Sequence, residues 1–314
     1  MIPHFTHLFS TYSIVARDSQ TGQLGVAVQT HQMGVGRVVP WLLPGVGAIA
    51  TQAWTNISFG PLGLAMLREG VAAPKVVQAL VASDAGAHNR QFAVVDAKGA
   101  VGAWTGKNTI AQAGHHIGDG YSAQANMMSS ATVVDAMARA FENASGDLAA
   151  RMMAALQAAQ REGGDIRGMQ SAALKVVSGN LNDPSWSSLF DLRVDEHAAP
   201  LTELARLLRL RRAENMDNKG LDLLKQGQLD RALEVWAEAR ALAPELEELP
   251  FWQAVALSDE PADIQTAREI LQPALNKDPR RDHWLDLLNR LQDCGIIQRP
   301  GAVEELVERM MNDE

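Results

Sequence analysis

Cysteine is nearly absent: Cys294 is the only one in 314 residues. That excludes an intrachain disulfide and any cysteine-based metal cluster, and it fits a reducing compartment. No run of 18 apolar residues occurs, so no segment reads as a membrane-spanning helix. Residues 1–10 lack the basic start and apolar centre of a secretion signal, and a cytoplasmic location is the expectation. HExxH, GxGxxG and GxxxxGK[ST] are also missing, so neither a metal, a nucleotide cofactor nor a phosphate cradle is expected. His115 and His116 are adjacent, and neighbouring side chains on a regular element point apart, which argues against a metal shared by that pair.

What is present is an apolar content of 46% and a mean hydropathy of -0.11, enough for a full core and for division into two domains. Charge is distributed unevenly. Residues 1–195 carry 13 Lys+Arg and 13 Asp+Glu, whereas residues 196–314 carry 15 and 24. The whole formal charge of -9 therefore belongs to the C-terminal part, and DEHAAP at 195–200 supplies the polar and proline signals of a linker. An acidic tail argues against nucleic acid and against an anionic membrane as partners.

Residues 11–17 (TYSIVAR) and 24–30 (LGVAVQT) read as a hairpin around the turn formers of DSQTGQ. Residues 36–43 contain Pro40 and lead to Pro44, which points to an edge or an irregular crossing. A buried strand follows at 46–51 and ends abruptly in Gln52, Thr55, Asn56 and Ser58. Helices are expected at 60–69 and 73–82, then strands at 90–96 and 100–105. Glycines at 114–120 precede a short strand at 121–125, closed by the amides of Gln124 and Asn126. Helices at 132–142 and 147–162 and strands at 171–177 and 188–194 complete the pattern. The order of strands, two helices, strands, two helices, strands suits an α+β fold, a four-layer αββα sandwich.

Beyond residue 200 the chain reads as helical throughout. Ala232, Ala239 and Pro244 recur as Ala267, Ala274 and Pro279, 35 residues on, close to the period of tetratricopeptide-type helical repeats. Trp236, Trp252 and Trp284 are expected to fill grooves between the helices. A short array of this kind packs on a neighbour or on a second copy of the chain, so a homodimer or higher homo-oligomer is expected.

The candidate site rests on polar groups at strand ends. Thr11 and Ser13 head the first long strand. If a chain begins at Thr11, its α-amino group, with a pKa of about 7.7–8, can take the hydroxyl proton, so that nucleophile and base come from one residue. Gln52, Asn56, Gln124 and Asn126 would then face it as amide donors to an oxyanion or a substrate, with Arg90 as a further substrate-binding candidate. His31 and His115 are the candidate acid or base near neutrality. The substrate class these groups suit is a small amide or peptide-like molecule. The alternative is a binding module or scaffold that uses the same groups for a small ligand without chemistry.

The segments TYSIVARD from Thr11, GVAVQTH from Gly25, VVPWLLPGVGAIATQAWTN from Val38, FGPLGL from Phe59, AGHHIGDGYSAQANMM from Ala113 and GGDIRGMQSAAL from Gly163 carry a resemblance. Over residues 11 to about 195 the chain resembles the DUF1028 family, which is assigned to the N-terminal-nucleophile (Ntn) hydrolase fold class and is sometimes labelled fimbrial assembly protein. The remainder is similar to a small helical domain, labelled peptidoglycan-binding, that follows this module in some members. The resemblance implies the αββα sandwich and a nucleophile at the first residue of the mature chain, matching Thr11. It implies domains at 11–195 and 196–314, with residues 1–10 as an N-terminal extension. Members often start with Met directly before that Thr, whereas here MIPHFTHLFS comes first and makes the Thr11 amine an amide. A proteasome-like lysine on the third strand is also missing; the nearest cation, Arg37, does not give up a proton.

Overall fold

The computed structural model describes residues 8, 9, 11–260, 263–276 and 279–307. It is a mixed α/β structure with two antiparallel sheets, ten α-helices among the described residues and a helical C-terminal region. In chain order the first elements are β1 (Leu8–Phe9), β2 (Thr11–Arg17), β3 (Leu24–Thr30), β4 (Pro40–Leu43), β5 (Gly47–Trp54), α1 (Phe59–Arg68) and α2 (Ala73–Ser83). They are followed by β6 (Arg90–Asp96), β7 (Val101–Thr105), β8 (Gly114–Gly118), β9 (Tyr121–Asn126), α3 (Val133–Asn143), α4 (Leu148–Arg161), β10 (Ser171–Val177) and β11 (Phe190–Val194).

One sheet has six strands in the order β11-β10-β3-β2-β9-β8. The other has five, β1-β5-β6-β7, with β4 also paired to β5. The β2–β3 hairpin closes as its composition dictates: Asp18 Oδ1 accepts from the Thr21 amide at 2.8 Å, and Gly22 takes φ 73°. Strand alternation then decides what each sheet buries. Val15, Val26, Val28, Ala48, Ala50, Ala93 and Val95, drawn from both sheets, form one apolar cluster. The alternate residues Ile49, Phe92 and Val94 pack instead on Leu64, Leu67, Val76 and Leu80 of α1 and α2. On the six-stranded sheet, Tyr121 packs against Phe141 of α3, and a Cβ at Gly25 would strike Met152 of α4.

Helix ends follow the sequence. Pro74 lies in the first turn of α2, where its missing N–H costs nothing. Asp147 caps α4 by accepting from the Ala150 amide at 2.8 Å, and Gly163 at φ 100° stops that helix. Two elements differ from expectation. β8 forms where glycines alone were legible, because its backbone pairs along β9 from Gly114↔Ala125 to Gly118↔Tyr121. Residues 8 and 9, read as part of a weakly structured extension, pair with Trp54 and Ala53 at the end of β5.

The chain divides into two compact units, residues 1–207 and 208–314. The point of division falls inside α5 (Pro200–Lys225), which starts directly at the linker proline. The second unit continues with α6 (Leu229–Leu242), α7 (Glu248–Leu257), α8 (Ile264–Leu275), α9 (Arg281–Asp293) and α10 (Ala302–Val307). α6 and α8 start 35 residues apart, and Trp236 and Leu271, at the same offset, are both buried. Trp236 fills a helix groove and donates Nε1–H to the Asp217 carbonyl at 3.0 Å. Trp284 packs on Phe251 with ring centroids 4.7 Å apart, whereas Trp252 is 39% exposed and does not fill a groove. No helix among the described residues is long and apolar enough to cross a membrane.

Candidate functional site

The layer between the two sheets changes character along the strands. Its apolar half ends at Val15, Val28, Ala50 and Ala93. Two residues further along each strand, in the same phase, stand Ser13, Thr30, Gln52 and Gln91, all fully buried. β9 adds Ser122, Gln124 and Asn126, also fully buried, opposite Val15, Ser13 and Thr11 respectively. Buried amides at this density are tolerated only when they satisfy one another.

They do so in a directed chain. Ser122 Oγ donates to Gln124 Oε1 at 2.9 Å, and Gln124 Nε2 donates to Ser13 Oγ at 2.6 Å. Ser13 Oγ donates across the layer to Gln52 Oε1 at 2.6 Å, and Gln52 Nε2 donates to Gln91 Oε1 at 2.8 Å. Gln91 Nε2 in turn reaches Thr105 Oγ1 at 3.0 Å, the carbonyl of Ala125 at 2.8 Å and that of Gly114 at 3.0 Å. Thr105 Oγ1 lies 2.8 Å from His115 Nδ1. Thr105 Oγ1 and His115 Nδ1 thus form one hydrogen bond, and which of the two donates follows the ring tautomer. Partial burial of the imidazole holds the His115 pKa below the usual histidine range, in keeping with a neutral ring.

Thr11 stands at the open end of this chain, with no exposed surface. Its carbonyl accepts from Gln52 Nε2 at 3.2 Å and from Asn126 Nδ2 at 3.4 Å, one amide from each sheet. Its hydroxyl is 3.4 Å from Thr30 Oγ1. Immediately after Gln52 and Asn126, Ala53 and Met127 adopt left-handed backbone, at φ 64° and 57°. Both amide-bearing strands thus leave their regular path one residue past the layer.

Residues 11–204 match the model of DUF1028, described as a family of unknown function. The chain belongs to DUF1028. A solved structure of the same family, protein SPO2555 from Silicibacter pomeroyi, is similar to it at 30% sequence identity with a TM-score of 0.58. That likeness covers 64% of this chain and 88% of the other. No curated protein matches the chain.

In this DUF1028 chain the sequence candidates separate into two groups. Thr11, Ser13, Gln52, Gln124 and Asn126 share the buried network, and His115 joins it through Thr105. Asn56, Arg90 and His31 are tied elsewhere. Asn56 Oδ1 accepts from the Ser58 amide and hydroxyl at the start of α1, and its Nδ2 lies 3.5 Å from Asp84. Arg90 pairs with Asp84 at 2.8 Å and donates to the Trp54 carbonyl. The His31 amide donates to Asp165, and its Nδ1 is 3.3 Å from the Met169 carbonyl.

Gln91 and Thr105 were not singled out from the sequence. The signal was the alternation within residues 90–96: Gln91 is in phase with Ala93 and Val95, which face the inter-sheet layer, whereas Arg90 is not. A cavity of about 210 Å³ lies at the end of β8, lined by Gln112, Gly114, His115, Met128, Ser130 and Asp135 among others. Thr11, Ser13, Gln52, Gln124 and Asn126 do not line it. Among the described residues no group of three or more His, Cys, Asp and Glu side chains could hold a metal.

Proposed function

We propose that residues 11–195 form an Ntn-type αββα sandwich and that the protein is an amidohydrolase of a small amide or peptide-like substrate, with Thr11 as nucleophile once it is the first residue of the chain. The observation that supports this reading best is the grip on Thr11: its carbonyl is held by amides from both sheets at the end of a strand. A freed α-amine there would sit on the nucleophile's own residue and take the hydroxyl proton. The carboxamides of Gln52 and Asn126, both on the Thr11 carbonyl, would orient the nucleophile. Ser13 is the reserve nucleophile, and His115, which reaches the network through Thr105, is the candidate acid or base.

A second reading, a non-catalytic ligand-binding or scaffold protein, is favoured by one observation. Ten residues precede Thr11, and two of them pair with β5, so Thr11 carries a peptide bond instead of an amine. The helical unit then serves assembly, as a repeat of tetratricopeptide type, in a cytoplasmic homo-oligomer with neither nucleic-acid nor membrane partners. Intact-mass analysis of the purified protein separates the two readings. A species beginning at Thr11 supports the hydrolase; a uniformly full-length chain whose turnover of small amides is unchanged in Thr11→Ala removes Thr11 as the nucleophile.

A further inference from the structure

The amide oxygens and nitrogens of the inter-sheet network can be arranged in only one way, and a single residue fixes that arrangement. Gln91 Nε2 lies 2.8 Å from the Ala125 carbonyl and 3.0 Å from the Gly114 carbonyl. Turning the carboxamide over would set Oε1 against two carbonyl oxygens with no proton between them, in a layer that excludes water. The orientation of Gln91 is therefore dictated by backbone of the facing sheet. With Nε2 committed there, Oε1 must face Gln52 and Asn126, and both present nitrogen to it, at 2.8 and 2.9 Å.

The same two nitrogens donate to the Thr11 carbonyl. Gln52 Oε1 is left pointing at the Ser13 hydroxyl, which takes its second bond from Gln124. Both amides on the Thr11 carbonyl thus take their direction from Gln91.

We infer that Gln91 is the positioning residue of the proposed nucleophile: locked by the Gly114 and Ala125 carbonyls, it holds Gln52 and Asn126 with their NH2 groups on the Thr11 carbonyl. The inference rests on the Thr11 reading for its catalytic consequence and on geometry alone for the lock. Fixing that carbonyl fixes the last backbone torsion of Thr11, and with it the orientation of its amine and hydroxyl relative to the two sheets. A residue that merely fills the layer would do none of this.

The test uses the full chain carrying a specific protease site placed so that cutting the folded protein leaves Thr11 first. Gln91→Glu keeps the shape and removes the NH2, and Gln91→Met keeps the length without either polar group. Release of ammonia from glutamine and asparagine, and of p-nitroaniline from amino-acid p-nitroanilides, reads turnover. The expected result is a loss in kcat of about a hundredfold in both variants with KM little changed, the size of effect that small misplacement of a reacting group produces.

In parallel, side-chain carboxamide NMR signals of Gln52 and Asn126 are followed in the uncut protein. They are expected to shift and to lose exchange protection in Gln91→Glu while the backbone amides of β2 and β5 keep theirs. Unchanged carboxamide signals, or an unchanged kcat in a cut protein that is active, overturn the inference. A cut parent with no turnover overturns the hydrolase reading and the catalytic half of the inference, and the carboxamide signals still decide the lock.

Discussion

Ala53 and Met127 mirror each other across the inter-sheet layer: each follows an inward-facing amide, Gln52 or Asn126, and each is held with positive φ, 64° and 57°. A left-handed backbone costs a residue with a Cβ roughly 1–2 kcal/mol, so both strand ends carry strain beside the polar layer. Ala53→Gly is expected to raise stability by up to about 1 kcal/mol, since relief of that strain outweighs the entropy glycine adds to the unfolded chain. Ala53→Val, β-branched at the same φ, is expected to lower it by more than about 1 kcal/mol. Urea unfolding of the two variants checks the sign of each.

Ser13 is the joint between the sheets. Ser13→Ala deletes both the donor to Gln52 and the acceptor for Gln124, leaving two buried amide groups with one partner fewer. At about 1–3 kcal/mol for each such group, the expected loss is roughly 2–6 kcal/mol. Combining it with Gln52→Leu should cost less than the sum of the two single changes, because the group orphaned by the first is removed by the second. Additivity in that double-mutant cycle would contradict the directed chain.

In the C-terminal unit, Gly220 in α5 carries the reverse of the usual helix rule. Alanine ordinarily stabilises a helix interior by about 1 kcal/mol over glycine. Here a Cβ at Gly220 would lie 2.3 Å from Trp236 Nε1. Gly220→Ala is therefore expected to destabilise the unit and displace the Trp236 indole from the Asp217 carbonyl, read as a shift in tryptophan emission.

His115 supplies a pH dependence with a definite sign. Burial holds its native pKa below the ordinary histidine value of about 6.5, which is the value in the unfolded chain. Above that range neither state takes a proton and nothing is lost. As the pH falls through it, the unfolded chain binds a proton that the native site resists, so stability declines. His115→Asn is expected to lose less stability than the parent between pH 8 and pH 5.5, measured by thermal unfolding at both values; an equal loss would show that His115 contributes nothing to the acid limb.

The strands and helices of residues 11–194 were legible because periodicity and turn residues agree there: 11–17, 24–30, 90–96 and 171–177 appear with the bounds their composition suggested. β8 was not legible, since glycine and histidine carry no strand preference and its pairing comes from β9. The amide end was half legible. Gln52, Gln124 and Asn126 stand out at strand ends, but which neighbours join them is set by strand phase, and phase separates Gln91 from Arg90. Asn56 lies past the left-handed turn at Ala53 and is captured by Ser58 and Asp84. Side-chain direction after such a turn cannot be counted along the strand. The exposed Trp252 likewise depends on the rotation of α7, which the repeat period alone does not specify.

The most direct measurement is amide turnover by the folded full chain before and after a protease cut that makes Thr11 the first residue, with Thr11→Ala cut in the same way. The account predicts amine or ammonia release from small amides only after the cut and only with Thr11 in place. Equal release from the cut Thr11→Ala protein, or none from any form, would contradict it.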